Sequence, residues 1–357
     1  MELGLIVLAG GRSSRMGQDK ARIKWNGKTF IEETLRKAEA YGFKEKIVVT
    51  NTDDEFYRQL PAVVIQDIYP HQGPLSGIHA GLQKSSCTWN FIMSCDMPLF
   101  DFFLVDQLQE KIADHYFAVV PSLDGRYQQL AALYRKEYEM VIESMLAAGQ
   151  QRLRDLFLER PVLKVEMDPW QNLFFNVNTP AEFLLARAKA VNAARKIPLV
   201  SITSSQSGTG KTQFICQLLP ELKQLGLRVA VVKSDSPGFS LAHEGEPWEF
   251  SQAGADGVAV ISPAGYAIMQ NTPTKENVLA VVEKISGVDL IIIETCSHGL
   301  FPVLEIEREG YTRELITDKA DLVAVITDRE LSQAAASVKK LPLGEPKKTA
   351  EFMQKLW

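Results

Sequence analysis

Two glycine-rich loops, each directly after a short apolar run, are the segments of this sequence best suited to phosphate chemistry. The first follows Leu3–Ala9 and reads Gly10-Gly11-Arg12-Ser13-Ser14-Arg15-Met16-Gly17-Gln18-Asp19-Lys20. Glycines let a backbone approach a nucleotide closely, and successive peptide N–H groups cradle phosphates. Arg12, Arg15 and Lys20 add positive charge for a triphosphate. Such charge matters most when a phosphate attacks an α-phosphorus and pyrophosphate departs. The second loop follows Leu199–Thr203 and runs Ser204-Ser205-Gln206-Ser207-Gly208-Thr209-Gly210-Lys211-Thr212. It is one residue away from the phosphate-binding pattern G-x-x-x-x-G-K-[ST], because Ser205 stands where the first glycine is expected. Gly208 and Gly210 keep it pliable. Lys211 suits β- and γ-phosphates, Thr212 suits Mg²⁺, and the N-terminus of the following helix favours an anion.

Two carboxylates stand at strand exits. Asp96, in Phe91-Ile92-Met93-Ser94-Cys95-Asp96-Met97-Pro98, lies just past a buried strand, where open α/β sheets bind ligands. There it could hold Mg²⁺ against phosphate oxygens, or instead cap a helix after Pro98. Glu294 ends the apolar run Asp289–Glu294, as a second metal-side acid or as an ordinary strand exit. Gly73, Gly77 and Gly81 recur at four-residue spacing, giving a smooth helix face for a base or for tight packing. His79 in that segment reads as a packed side chain.

The elements that must position these residues alternate between short apolar runs and longer amphipathic ones. Strands are expected at Leu3–Ala9, Lys46–Thr50, Ala62–Gln66, Trp89–Ser94, Tyr116–Pro121 and Gln129–Tyr134. Helices are expected over Thr29–Tyr41, around Leu104, Leu108 and Ile112, and from Pro180 to about Arg195. Alternation restarts with strands at Leu199–Thr203, Arg228–Lys233, Val258–Ser262, Asp289–Glu294 and Asp321–Thr327. The fold expected is α/β with two domains, both with mainly parallel sheets. The first, residues 1–193, is Rossmann-like. The second, 198–357, is P-loop NTPase-like, and the boundary falls near 194–197.

At 357 residues two hydrophobic cores are the natural expectation. A net charge of −5 argues against a nucleic-acid binder but not against a local basic pocket for phosphates. Cys87, Cys95, Cys216 and Cys296 show neither paired nor metal-like spacing, which fits a reducing cytoplasm. The first apolar run is too short for a signal peptide or membrane span. A cytoplasmic protein with no membrane partner is expected.

With these residues in view, the first half resembles the molybdenum cofactor guanylyltransferases. The matching segments are Leu8-Ala9-Gly10-Gly11 to Asp19-Lys20, Gly73–Gly77, Cys95–Pro98, Ala132–Tyr134 and Asn176-Val177-Asn178-Thr179-Pro180. The resemblance implies GTP as substrate, its base on the backbone of Leu8, Ala9 and Gly10 with Asn51 and Asp67, and Gly11 among the nucleotide-binding residues. It implies Lys20 on phosphate, beside the charge of Arg12 and Arg15 already noted, and Asp96 on both GTP and Mg²⁺. The implied acceptor is molybdopterin, the molybdenum cofactor, whose terminal phosphate attacks the GTP α-phosphorus to give the guanine dinucleotide and pyrophosphate. Asn176 and Asn178 are implied contacts to acceptor or phosphate, or simply close a turn. Gly10-Gly11 favours GTP over the CTP of cytidylyl relatives, whose loop reads Leu-Ala-Ala-Gly. Asp19-Lys20 replaces the Pro-Lys of sugar-phosphate nucleotidyltransferases.

The second half resembles the GTP-binding adaptor of molybdopterin-guanine dinucleotide biosynthesis. The match rests on Ser207–Thr212, Val231-Val232-Lys233, Ala253-Gly254-Ala255 and Asp289–Glu294. Gly208, Gly210, Lys211 and Thr212 would hold nucleotide, with Thr212 on metal. Ser234-Asp235-Ser236 and Thr295-Cys296 stand where that family has histidine and Gly-Phe. A molybdoenzyme or its chaperone is the implied recipient. A carrier or scaffold that holds cofactor without releasing pyrophosphate is the reading from another class.

Overall fold

A computed structural model of the chain describes residues 1–9, 19–69, 72–234, 250, 253, 255, 257–263, 265–270, 278–297, 299–308, 310, 315–330 and 338–357. The chain divides into two compact units, Met1–Ala186 and Arg187–Trp357. The division falls inside the helix Pro180–Ala193, upstream of the 194–197 boundary expected from sequence.

In the first unit the main strands are β1 (Leu3–Leu8), β2 (Glu45–Thr50), β3 (Val63–Gln66), β4 (Trp89–Ser94), β5 (Ala118–Leu123), β6 (Ala131–Arg135) and β7 (Val162–Glu166). Their order across the sheet is β7-β5-β6-β4-β1-β2-β3. Of these seven, β6 alone runs antiparallel to its neighbours, β4 and β5. The sheet is therefore mainly parallel, as expected, though β7 was not foreseen.

All six residues of β1 are buried, because both faces of the sheet are covered. Leu5 and Val7 enter one core with Ile31, Leu35 and Phe91, while Ile6 and Leu8 enter the other with Ile78, Leu82 and Ile142.

The helices start and stop on local signals. Helix α1 (Phe30–Tyr41) opens with a capping box, Thr29 and Glu32 each satisfying the other's backbone N–H, and Gly42 closes it at φ +92°. Helix α2 (Pro74–Lys84) begins with proline at its first position. Its regularly spaced glycines serve packing: a methyl group on Gly81 would lie 2.5 Å from Ile6 Cγ2, and one on Gly77 3.2 Å from Leu8 Cδ2. That face is buried against β1, so it offers no surface to a base. The helix expected through Ile112 is shorter, Phe103–Gln109.

In the second unit a six-stranded sheet is parallel throughout. It comprises β8 (Leu199–Thr203), β9 (Val229–Lys233), β10 (Leu290–Glu294), β11 (Val303–Glu307), β12 (Leu322–Thr327) and β13 (Lys339–Pro342). The order is β9-β10-β8-β11-β12-β13. The strand expected at Val258–Ser262 exists as Gly257–Ser262 but, among the described residues, pairs with Gly265–Gln270 alone, as a separate antiparallel hairpin. Only two residues separate the two runs in sequence, too few for a crossover into the parallel sheet, so they pair locally. No described helix is long and apolar enough to cross a membrane.

Candidate functional sites

Parallel strands bring their C-terminal ends to one edge, and the candidates of the first unit follow four neighbouring ends. In sheet order these are Asp67 after β3, Asn51 after β2, Ala9 after β1 and Asp96 near the end of β4. The register Leu8↔Val49 and Leu8↔Ser94 aligns three of the ends, and Thr50↔Gln66 aligns the fourth. Backbone bonds extend the alignment past the strands: Ala9 N–H donates to Val49 and Cys95 N–H to Leu8. A ligand at the carboxyl ends of such strands is the expected arrangement for an open α/β sheet.

Lys20 and Asp96 meet at this edge. Lys20 Nζ donates to Asp96 Oδ2 at 2.7 Å and to Asn178 Oδ1 at 2.6 Å. Asn178 reaches them because Val177 N–H donates to the Asp96 carbonyl at 2.9 Å, docking the segment 176–179 against the strand exit. Thr179 and Glu182 then start the next helix, with Glu182 also accepting from Asn178 N–H at 2.8 Å. The Asn178 backbone thus closes a turn while its side chain faces the charged pair. Asn176 is exposed and its amide donates to the Phe174 carbonyl at 3.4 Å. Among the described residues it makes no hydrogen bond to Lys20 or Asp96.

Asp96 is buried, and its Oδ1 has no hydrogen-bond partner among the described residues. It caps no helix, since the first helix after Pro98 begins at Phe103. An unpartnered buried carboxylate oxygen is costly unless something else approaches it, and a hard oxygen of this kind suits Mg²⁺. Among the described residues no three His, Cys, Asp or Glu side chains gather to hold a metal by themselves. Asp96 thus fits a magnesium whose other ligands are phosphate oxygens and water.

Asn51 is exposed at its strand end, free of burial that would hide it from a ligand. Asp67 is half-buried and accepts from the Ser76 hydroxyl and from Tyr69 N–H, which ties it to the first turn of α2. Leu8 and Ala9 are buried at the sheet edge. Gly10, Gly11, Arg12 and Arg15 lie outside the described residues.

Two supports escaped the sequence reading. Lys37 of α1 donates to the carbonyls of Pro98 and Phe100 at 3.0 and 2.9 Å, pinning the loop just beyond Asp96. Burial pushes its ammonium pKa down. Tyr57, also buried, donates to Asp19 Oδ2 at 2.7 Å. Burial and then that carboxylate hold its hydroxyl far above the usual phenol range, so it stays a donor. Both act over sequence distances at which no motif forms.

The second unit places its loop as the pattern requires. Strand β8 runs into residues 204–210, and helix α3 (Lys211–Gln224) follows with Gly210 as N-cap at φ +88°. No side chain caps that end, so its first N–H groups remain available to an anion. Buried Ser204 organises the loop: its hydroxyl donates to the Gln206 carbonyl and accepts from Thr209 and Lys211. Lys211 Nζ also donates to Cys296 Sγ at 3.0 Å.

Thr212 donates to Glu294 Oε1 at 2.6 Å, and Lys233 reaches the same oxygen at 3.0 Å. These groups line a cleft of about 460 Å³ with Ser207, Gly208 and Gly210. The Thr212 hydroxyl and the Glu294 carboxylate form a hard-oxygen pair that fits Mg²⁺ beside a bound phosphate.

Comparison with known proteins agrees with both halves. Residues 5–164 match the family model for a MobA-like NTP transferase domain, and residues 199–328 match that for molybdopterin guanine dinucleotide synthesis protein B. The probable molybdenum cofactor guanylyltransferase of Bacillus cereus (strain G9842) is 35% identical over 196 residues, 52% of this chain and 96% of that protein. Its namesake from Clostridium perfringens (strain 13 / Type A) is 32% identical over 186 residues, 50% of this chain and 92% of that protein. Among solved structures, molybdopterin-guanine dinucleotide biosynthesis protein A from Archaeoglobus fulgidus is similar at 23% identity. The match has a TM-score of 0.47 and covers 54% of this chain and 100% of that one.

Proposed function

Because this chain belongs to the molybdenum cofactor guanylyltransferase family, a family of nucleotidyltransferases, we propose that residues 1–193 transfer GMP from GTP to the terminal phosphate of molybdopterin. The products are molybdopterin guanine dinucleotide and pyrophosphate. The observation that carries this reading is the meeting of Lys20, Asp96 and Asn178 at the carboxyl edge of the sheet.

In this reading the guanine lies against the Leu8–Gly11 backbone with Asn51 and Asp67. Lys20 swings from Asp96 to the phosphates, assisted by Arg12 and Arg15, and neutralises charge that grows as pyrophosphate leaves. Asp96, with one oxygen already unpartnered, turns to Mg²⁺ together with the triphosphate. The metal would screen the α- and β-phosphates from the incoming phosphate. Asn178 keeps Lys20 aimed during the exchange.

Residues 198–357 bind a second GTP in the cleft beside Lys211, with Thr212 and Glu294 on the metal side, and assist the transferase. Tethering raises the effective concentration of one activity near the other. The setting is the cytoplasm, and a molybdoenzyme or its chaperone takes the product.

The test is pyrophosphate release by the purified chain with Mg²⁺ and molybdenum cofactor, comparing GTP, CTP and ATP. GTP-specific release that Asp96→Ala abolishes is the expected result. Better use of CTP would move the chain to the cytidylyl relatives, and cofactor binding without any release would make it a carrier.

A further inference from the structure

Ala9, at the end of β1, and Asp19 flank residues 10–18 in sequence, and one buried side chain touches both. Tyr57 Oη donates to Asp19 Oδ2 at 2.7 Å and lies 3.5 Å from the Ala9 carbonyl oxygen. The other oxygen of Asp19 accepts from Ala21 N–H at 3.0 Å and so caps the single 3₁₀ turn Lys20–Arg22.

The helical turn that carries Tyr57, Glu55–Arg58, is held to the same place by a second route. Asp54 caps it by accepting from Tyr57 N–H at 3.3 Å, and its carboxylate also pairs with Arg22. The Arg22 guanidinium lies 4.7 Å from the Phe56 ring centre. The turn bearing Lys20 is therefore tied to residues 54–57 through Asp19 and through Arg22.

We propose that Tyr57 and Asp19 are positioning residues of the transferase. They latch the two ends of the glycine-rich loop together and fix the turn from which Lys20 reaches the phosphates. The proposal rests on the transferase reading for its kinetic consequence but not for the latch itself. The gain is preorganisation: a lysine on a fixed turn meets the departing phosphate without an ordering step. The hydroxyl that fixes Asp19, the residue next to Lys20, also lies against the Ala9 carbonyl at the end of β1, so the turn bearing Lys20 is set beside the strand end expected to meet the base.

Tyr57→Phe removes that hydroxyl and keeps the buried ring. Asp19→Asn, with Tyr57 in place, is the second variant. The latch is read by amide hydrogen exchange of peptides covering residues 19–24, which needs no nucleotide. Exchange there is expected to rise in both variants while β1 and β2 stay protected. Unchanged exchange overturns the latch whatever the activity.

The kinetic arm compares Tyr57→Phe in the unsubstituted chain and in a Lys20→Met background. The expected result is a fall of roughly tenfold in kcat for pyrophosphate release, with KM for GTP within about threefold. In the Lys20→Met background the same change should cost under about twofold, because it acts through Lys20. Equal losses on both backgrounds, or none, overturn the positioning role. No release by the unsubstituted chain sinks the transferase reading instead, and the exchange measurement still decides the latch.

Discussion

The Lys20 ammonium pairs with one oxygen of Asp96 at 2.7 Å and leaves the other oxygen buried, without a partner among the described residues. One oxygen of this carboxylate is thus committed to a cation from the chain, and the other makes no such bond. Such incomplete satisfaction lowers stability and is expected where a site must accept a ligand. We predict that Asp96→Asn lowers pyrophosphate release by about 10²-fold or more, the scale seen when one preorganised charge partner is lost. Its melting midpoint should equal or exceed that of the parent chain. A clear drop in midpoint would assign Asp96 to stability rather than chemistry.

Lys37 suggests a second experiment. Its ammonium satisfies two carbonyls, of Pro98 and Phe100, in the loop that leaves Asp96. Lys37→Met retains most of the stem and removes both bonds. We predict a stability loss of about 1.5–3 kcal/mol, the range for hydrogen bonds to a charged group. Activity at saturating GTP should fall with it, and Mg²⁺ should be needed at higher concentration. Chemical denaturation and a magnesium titration check the two parts separately. An unchanged magnesium requirement would limit Lys37 to structure.

The capping box of α1 carries a pH dependence. Glu32 accepts from Thr29 N–H and from the Thr29 hydroxyl, and these bonds, the backbone one first, hold its pKa below the usual carboxylate value. Between the folded and unfolded pKa values the unfolded chain binds more protons, so stability rises with pH there. The contribution is complete above the unfolded value of about 4.3 and is lost as pH falls through the lower folded value. Glu32→Gln should therefore be less stable than the parent at neutral pH. The gap should close on acidification, measured by urea unfolding from pH 7 downward. A constant gap would contradict the assignment.

The second unit offers a stoichiometric test. If both units bind nucleotide, calorimetry with a non-hydrolysable GTP analogue finds two sites on the full chain. Lys211→Ala should reduce them to one. Gly210→Ala should weaken the same site, because φ is +88° there and a side chain costs roughly 1–2 kcal/mol in that conformation. One site in the parent chain, insensitive to Lys211, would remove nucleotide binding from residues 198–357.

What the chain reveals by itself is what short-range physics controls. The buried run of β1, the strand Leu199–Thr203 and the helix ending at Tyr41 depend on neighbours within a few residues. The loop motifs and the carboxylate after β4 were legible for the same reason, since each is a contiguous pattern. Strand β11 was not, because Glu305 sits in its middle and reads as polar. In the fold Glu305 is buried, with its carboxylate accepting from Ile316 and Thr317 N–H at 2.9 Å each. An acid of that kind belongs in a core only once distant backbone donors arrive.

Tertiary structure alone decided which candidates meet and what holds them. Lys20 meets Asp96 across 76 positions and Asn178 across 158, while Asn176, two residues away from the latter, is exposed. Extended pairing carries alternate side chains to opposite sides, but the 176–178 segment is irregular, so no periodicity could select between the two asparagines. Tyr57 and Lys37 carry no motif because the groups they satisfy lie on other elements. Sequence names residue types and the strands that end beside them. Strand order and direction, set by burying both sheet faces at once, decide which of those ends become neighbours.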